Sequence, residues 1–287
     1  MAGTDCMAVV ETKGLTYTYP NAPRESITDV SLKIEKGEFT LITGPSGCGK
    51  TTLCRCFNGL IPHFYQGQMK GEIHVAGLNV VENQIYELAK HVGLVFQNPE
   101  NQLFALSVEK DVAFGLENLG VPREEMRKKV DWSLQLAGIY DLRERAPYEL
   151  SGGQQQRVAI ASVLAMQPEV IVLDEPTSFL DPLSAKRIFE VIHQLNQNLG
   201  ITVVLVEHRL DLTARYANHI VIMNEGKVVL DGDPREILRS EETRLIGVGI
   251  PKATRLYQIL CNSGMKLGDR LPLSSEEMAD VLKEALG

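Results

Sequence analysis

Leu41-Ile42-Thr43-Gly44-Pro45-Ser46-Gly47-Cys48-Gly49-Lys50-Thr51-Thr52 is the stretch from which the fold of this chain can be read. It opens as a short apolar strand, passes through a glycine-rich turn and closes on the first residues of a helix. Gly44, Gly49, Lys50 and Thr51 fill the spacing G-x-x-x-x-G-K-[ST], with Pro45, Ser46, Gly47 and Cys48 between and Thr52 after. Glycines at these points let bare backbone N–H groups converge on phosphate oxygens without a Cβ in the way. The run Thr52 to Asn58, ending at Gly59, predicts a helix whose N-terminus faces the same anion. A helix terminus contributes only about 0.3–1 kcal/mol toward holding a nearby negative charge. A bound triphosphate therefore depends mainly on the Lys50 ammonium, reaching the β- and γ-phosphates, and on a Mg²⁺ ion with the Thr51 hydroxyl as a ligand.

At 287 residues the chain has room for one large core with smaller additions. Its net charge of −8, without a dense Lys/Arg block, argues against a nucleic-acid surface. Cys6, Cys48, Cys54, Cys56 and Cys261 have neither disulfide-scaffold nor zinc spacing, which fits a reducing cytosol. Cys54 and Cys56, two apart on the predicted helix, point away from each other. Met1 to Cys6 lacks a basic segment followed by an apolar run, and no uninterrupted apolar stretch approaches the roughly 18 residues of a membrane span. Any membrane connection is then expected through a partner, at the cytoplasmic face. Cys48, expected at a helix N-terminus beside Lys50, is in a setting that favours the thiolate.

Upstream, Ala8-Val9-Val10, Leu15 to Tyr19, Val30 to Ile34 and Phe39 to Thr43 alternate as strands of an antiparallel edge beginning near Met7. Tyr19, just before Pro20, either stacks on an adenine ring or packs as an ordinary edge-strand tyrosine. Downstream, Glu72 to Val75 and Leu78 to Val80 form a hairpin across Ala76-Gly77; His63 and His74 have no metal-ligand company. The apolar strand Val92 to Phe96 ends at Gln97, whose amide oxygen can ligate Mg²⁺ or hold a water. From Ser107 to Tyr148 the chain turns helical and charged. Met126, Val130, Leu134 and Ala137 mark one face of a helix from near Pro122 to Gly138. Trp132 lies off that stripe, facing a partner or packing on the next helix.

Ser151-Gly152-Gly153-Gln154 then opens a second helix with a hydroxyl and two glycines at its N-terminus, repeating the anion-binding logic of the first stretch. Val170 to Leu173 reads as a buried parallel strand delivering Asp174 and Glu175 to its C-terminal end, where open α/β sheets bind ligands. Two adjacent carboxylates there are costly unless a metal or water uses them. Asp174 suits direct or outer-sphere Mg²⁺ binding, and Glu175 suits the base that polarises an attacking water. A third strand, Thr202 to Val206, carries His208 to the same edge, within reach of a γ-phosphate. The hairpin Ile220 to Met223 and Lys227 to Leu230 closes the core.

With these residues assembled, the chain strongly resembles the nucleotide-binding subunit of ATP-binding cassette transporters over roughly Val9 to Leu238. The resemblance makes Gly44 to Thr51 the phosphate loop, Gln97 the Q-loop, Leu150 to Gln154 the signature, Ile171 to Glu175 the Walker B strand, Ser178 to Asp181 the D-loop and His208 the switch histidine. Tyr19 matches the family's adenine-stacking aromatic. Phe179 departs from the pattern, since many relatives carry alanine there, which leaves the contacts across a dimer open at that point. The implied fold is an α/β P-loop NTPase core with an antiparallel β edge subdomain, an inserted α-helical subdomain and a small C-terminal helical extension. Its expected bounds are 7–240 for the ATPase domain, with helices at about 105–165, and 241–287 for the extension.

Within the family the chain is most similar to the ATPase subunits of energy-coupling factor transporters, which import vitamins and transition-metal ions such as cobalt and nickel. The strings Val95 to Phe104, Val108 to Gly115 and Val206 to Asp211 carry that likeness. In the tail, a helix with Leu256, Ile259 and Leu260 is followed by Ser274 and Glu277, a capping box ahead of Met278, Val281, Leu282 and Leu286. Such tails help pair two ATPase subunits in that group; the alternative is a tail packed on its own domain. The resemblance implies ATP and Mg²⁺ as ligands, a second ATPase subunit, identical or paralogous, and integral-membrane transport and substrate-binding subunits, with no nucleic acid. In the implied composite site, the Ser151 to Gly153 tip of one chain completes the cradle of another. The competing readings are an ATPase of another transporter class and a soluble cassette protein acting on ribosomes or DNA. Against the latter stand a single motif set and the acidic balance.

Overall fold

The computed structural model describes residues 8–286. Cys6, Met7 and the leader reading of Met1 to Cys6, with Gly287 at the end of the expected extension, lie outside the described residues. In chain order the strands are Ala8–Thr18 (β1), Ile27–Glu35 (β2), Phe39–Thr43 (β3), Gln68–Val75 (β4), Leu78–Asn79 (β5), Val92–Val95 (β6), Val170–Asp174 (β7), Thr202–Val206 (β8), His219–Asn224 (β9) and Lys227–Gly232 (β10).

Two periodicities in the sequence become two sheets. Alternation in β1 and β2 buries Val10, Leu15 and Tyr17 of one strand and Ile27, Val30, Leu32 and Ile34 of the other on a shared face. With β4 and β5 they form an antiparallel sheet in the order β2-β1-β4-β5. The mostly apolar strands β3, β7 and β8 are buried at every residue. They occupy the centre of a second sheet, ordered β10-β9-β3-β8-β7-β6, in which only the edge strand β10 runs antiparallel to its neighbour. Parallel pairing means that β3, β6, β7, β8 and β9 all release their C-terminal ends along one edge. The helix Lys50–Phe57 lies between the two sheets, so Cys54 and Cys56 on its different faces are both fully buried.

Between β6 and β7 the helices Val108–Asn118, Arg123–Leu136 and Gly152–Ala165 pack around their own cluster, which includes Val112, Leu116, Val130, Leu134 and Val158. Arg143 braces it, its guanidinium 2.6 Å from Glu109 and 2.9 Å from Asp131. Asp111, buried, accepts from the backbone N–H groups of Phe104 and Ala105, which ties the segment after Gln97 to this cluster. Trp132 is half-buried and packs with Leu103 and Leu136 against the main core.

The C-terminal helices Lys252–Asn262 and Ser275–Leu286 turn an inner face to the main core: Tyr257, Leu271, Leu273, Met278 and Val281 join the cluster of Ile188, Phe189 and Ile192. Ion pairs from Arg215 to Glu276 and Arg235 to Glu277, at 3.0 and 2.9 Å, fasten the last helix. The expected capping box is half formed. Ser274 Oγ accepts from Glu277 N at 3.2 Å, but the Glu277 carboxylate accepts from Leu273 N and Arg235 instead of reaching back to Ser274. Leu256 and Ile259 face outward, 43% and 56% exposed.

Candidate active site

The loop after β3 is shaped by its neighbours as much as by its own sequence. Gly44 has φ +146, and a Cβ there would lie 2.0 Å from the carbonyl oxygen of Met223; Gly49 has φ +104, and its Cβ would lie 2.5 Å from that of Ser26. Cys48 O accepts from Gly226 N at 3.1 Å, so the β9–β10 turn holds the loop from outside. Lys50 is buried and its Nζ donates to Gly44 O and Pro45 O at 3.0 Å each, drawing the loop around the ammonium. A cleft of about 940 Å³ lies over this loop, walled by residues Pro45 to Thr52, by Glu175, by the Asn224-Glu225-Gly226 turn and by Arg24 to Ser26. The last two walls carry no motif and could not be found from the sequence.

At the end of β7, Asp174 is 7% exposed and its Oδ1 has no hydrogen-bond partner. Burial pushes its carboxyl up, a hydrogen bond with Thr51 pulls the other way, and the neighbouring Glu175 charge adds to the rise. A desolvated carboxylate oxygen without a donor, beside a threonine hydroxyl, fits a small hard cation such as Mg²⁺. Among the described residues no group of three His, Cys, Asp or Glu could hold a metal. An ion at Thr51 and Asp174 would therefore complete its shell with phosphate oxygens and water.

Glu175 adopts φ +46, a left-handed turn rare for glutamate, with its N–H bonded to Val206 O at 3.0 Å. Its carboxylate gathers three partners from three strand ends. His208 Nε2 lies 3.0 Å from Oε1, while Gln97 Nε2 and Ser178 Oγ both donate to Oε2 at 2.9 Å. Gln97 thus presents its amide nitrogen to the carboxylate and to Ser178 Oγ, at 3.3 Å.

Ser151 caps its helix in a complete box: Gln154 N donates to Ser151 Oγ at 3.4 Å and Ser151 N to Gln154 Oε1 at 2.9 Å. Among the described residues the phosphate-loop cleft is lined by none of Ser151, Gly152, Gly153 and Gln154. Gly152 instead borders a separate hollow of about 290 Å³ with Gln97, Phe179 and Leu180. A Cβ on Gly152 or Gly153 would meet nothing closer than 3.6 Å among the described residues. Tyr19 also lies off the cleft lining; its hydroxyl is 3.4 Å from Thr52 Oγ1 and accepts from Arg55 at 3.0 Å, and its ring stands edge-on to Tyr17.

One expectation is overturned. Cys48 does sit beside Lys50, Sγ 3.8 Å from Nζ, yet the thiol is 4% exposed and burial pushes its pKa up despite the nearby ammonium. The Lys50 charge is spent on the loop carbonyls, and the loss of water outweighs it. Sequence reasoning also missed Glu207 and Thr177, which join the loop of His208 to the loop of Glu175. The available signal was a carboxylate directly after the four apolar residues Val203 to Val206.

Residues 27–178 match the family model described as ABC transporter. A protein of Pyrococcus abyssi described as an ABC transporter ATP-binding protein is 45% identical over 280 residues, covering 97% of this chain and 99% of that protein. An energy-coupling factor transporter ATP-binding protein of Clostridium novyi is 41% identical over 279 residues, covering 96% and 97% of the two chains. Among solved structures, cbiO1 from Clostridium perfringens, described as part of the ABC transporter complex cbiONQ, superposes with a TM-score of 0.74 at 35% identity, covering 88% of this chain and 99% of that one.

Proposed function

The chain belongs to the ABC transporter family as one of its ATPases, and from that premise we propose that it energises an energy-coupling factor type importer of vitamins or transition-metal ions such as cobalt or nickel. The observation that carries the catalytic part is the Glu175 carboxylate, held by Gln97, Ser178 and His208 at the rim of the phosphate-loop cleft. Lys50 exchanges its loop carbonyls for the β- and γ-phosphates. Thr51 and Asp174 would hold Mg²⁺, which when bound would supply charge neutralisation on the phosphates. Glu175 takes the proton of a water aimed at the γ-phosphorus, and His208 hydrogen-bonds the γ-phosphate. Tyr19 turns from Thr52 to stack on the adenine.

The site is half a site. Among the described residues nothing requires glycine at 152 or 153, which supports a requirement set from outside, by the nucleotide of a facing ATPase subunit. The outward Leu256 and Ile259 of the extension suit the same pairing. Among the described residues no helix is long and apolar enough to cross a membrane. Phe104, Leu106 and Phe114, 64%, 78% and 43% exposed just past Gln97, offer an apolar patch to an integral-membrane partner. Release of the γ-phosphate then loosens the pair, and the motion reaches that partner through the Gln97 segment and its Asp111 tie.

Glu175→Gln tests the reading. It should retain ATP binding, lose at least about a hundredfold in turnover and accumulate a nucleotide-bound dimer in light scattering. Turnover at the wild-type level would remove Glu175 as the base.

A further inference from the structure

Glu207 is 2% exposed, and a carboxylate so far from water is costly unless its oxygens are occupied. Here they are. Oε2 accepts from Thr177 Oγ1 at 2.6 Å, and Oε1 accepts from the backbone N–H groups of His208 at 2.9 Å and Arg209 at 3.1 Å. Thr177, fully buried, stands two residues beyond Glu175 and next to Ser178. A second tie runs parallel: the Arg209 guanidinium donates to Leu180 O at 3.1 Å. The loop that carries His208 is thereby sewn twice to the loop that carries Glu175, and the His208–Glu175 contact of 3.0 Å sits on that seam.

We propose that Glu207 is a positioning residue for hydrolysis: with Thr177 it clamps the two loops so that the His208 imidazole is set over the Glu175 carboxylate, and it links that pair to the exposed tip at Phe179. The grip on two successive N–H groups fixes the backbone from which His208 projects. The grip on Thr177 fixes the segment that leads to Phe179, 72% exposed. A displacement of that tip by a facing chain is then delivered to the catalytic pair through the buried Thr177–Glu207 bond and the carboxylate's grip on the two N–H groups rather than through solvent.

The inference rests on the ATPase reading and is tested with the full-length chain. Thr177→Val removes the hydroxyl at constant shape, and Thr177→Ser restores it. Thr177→Val should lower kcat about tenfold with KM for ATP within about twofold of wild type. It should also speed amide exchange at His208 and Arg209 while β8 exchanges as before; Thr177→Ser should restore both. Unchanged exchange or unchanged kcat overturns the proposal, as does a joint fall of kcat, ATP affinity and Tm that Thr177→Ser does not reverse. Should Thr177→Val fail to fold, Glu207→Gln decides. Its amide can serve the two N–H groups with one oxygen but not with a charge, so wild-type kcat and exchange in that variant overturn the clamp. A wild-type chain without ATPase activity would count against the functional reading, while the exchange measurements would still report whether the clamp exists.

Discussion

A single carboxyl or thiol in this site behaves as its burial dictates, and its neighbours in sequence are a poor guide. Asp174 and Glu175 are adjacent, yet one is closed off with an unpartnered oxygen and the other is ringed by three donors. Cys48 makes the same point with a measurable outcome. Because its thiol is buried and its pKa raised, maleimide at neutral pH should label the half-buried Cys261 before Cys48, and Cys48 only on unfolding, as read by peptide mass spectrometry. Labelling of Cys48 first would show the thiolate that its position beside Lys50 suggests.

At the level of elements, the phosphate loop is a product of the strands around it. Its first glycine is demanded by the end of β9: alanine at 44 would press a Cβ to 2.0 Å from Met223 O, whereas at Gly47, φ +77, a Cβ meets nothing within 4 Å. Gly47→Ala should therefore cost about 1–2 kcal/mol, the strain of a left-handed L-residue. Gly44→Ala adds a backbone collision to that strain and should cost distinctly more, a difference that denaturant unfolding of the two variants would resolve. Equal costs would mean that β9 yields. The glycines were legible in the sequence; the reason for the first one was not, since Met223 lies far along the chain.

The whole molecule is also tied together at the opposite edge of its main sheet. His219, at the start of β9, contacts Glu38 at 3.1 Å and Asp231 of β10. Burial opposes its charge, but the hydrogen bonds to Asp231 and Glu38 prevail and raise its pKa to about 9. An unfolded histidine titrates near about 6.5. A folded pKa above the unfolded one stabilises the fold fully below the unfolded value and loses that contribution as pH rises through the folded one. The stability difference between the wild type and His219→Gln should thus be greatest below pH 6.5 and fall to a pH-independent remainder above about 9, followed by Tm across that range. A difference that is flat with pH would mean that the three groups do not share a charge.

What the amino-acid sequence determined by itself was local and periodic. Continuous apolar runs specified the buried parallel strands, glycine spacing specified the phosphate loop, and the ends of those runs marked Gln97, Asp174, Glu175 and His208 as residues of one site. Contact order explains what it left open. Thr177 with Glu207, Gly44 with Met223, and Gly226 with Cys48 are pairs brought together only when parallel strands align their ends, and no pattern along the chain encodes a partner so many residues away. The tertiary structure alone decided that Cys48 is closed to water, that Tyr19 rests against Thr52, and that the last two helices bury one face on the core while leaving the other outside. Burial and hydrogen-bond supply are properties of the assembled surfaces, and those exist only once the strands have met.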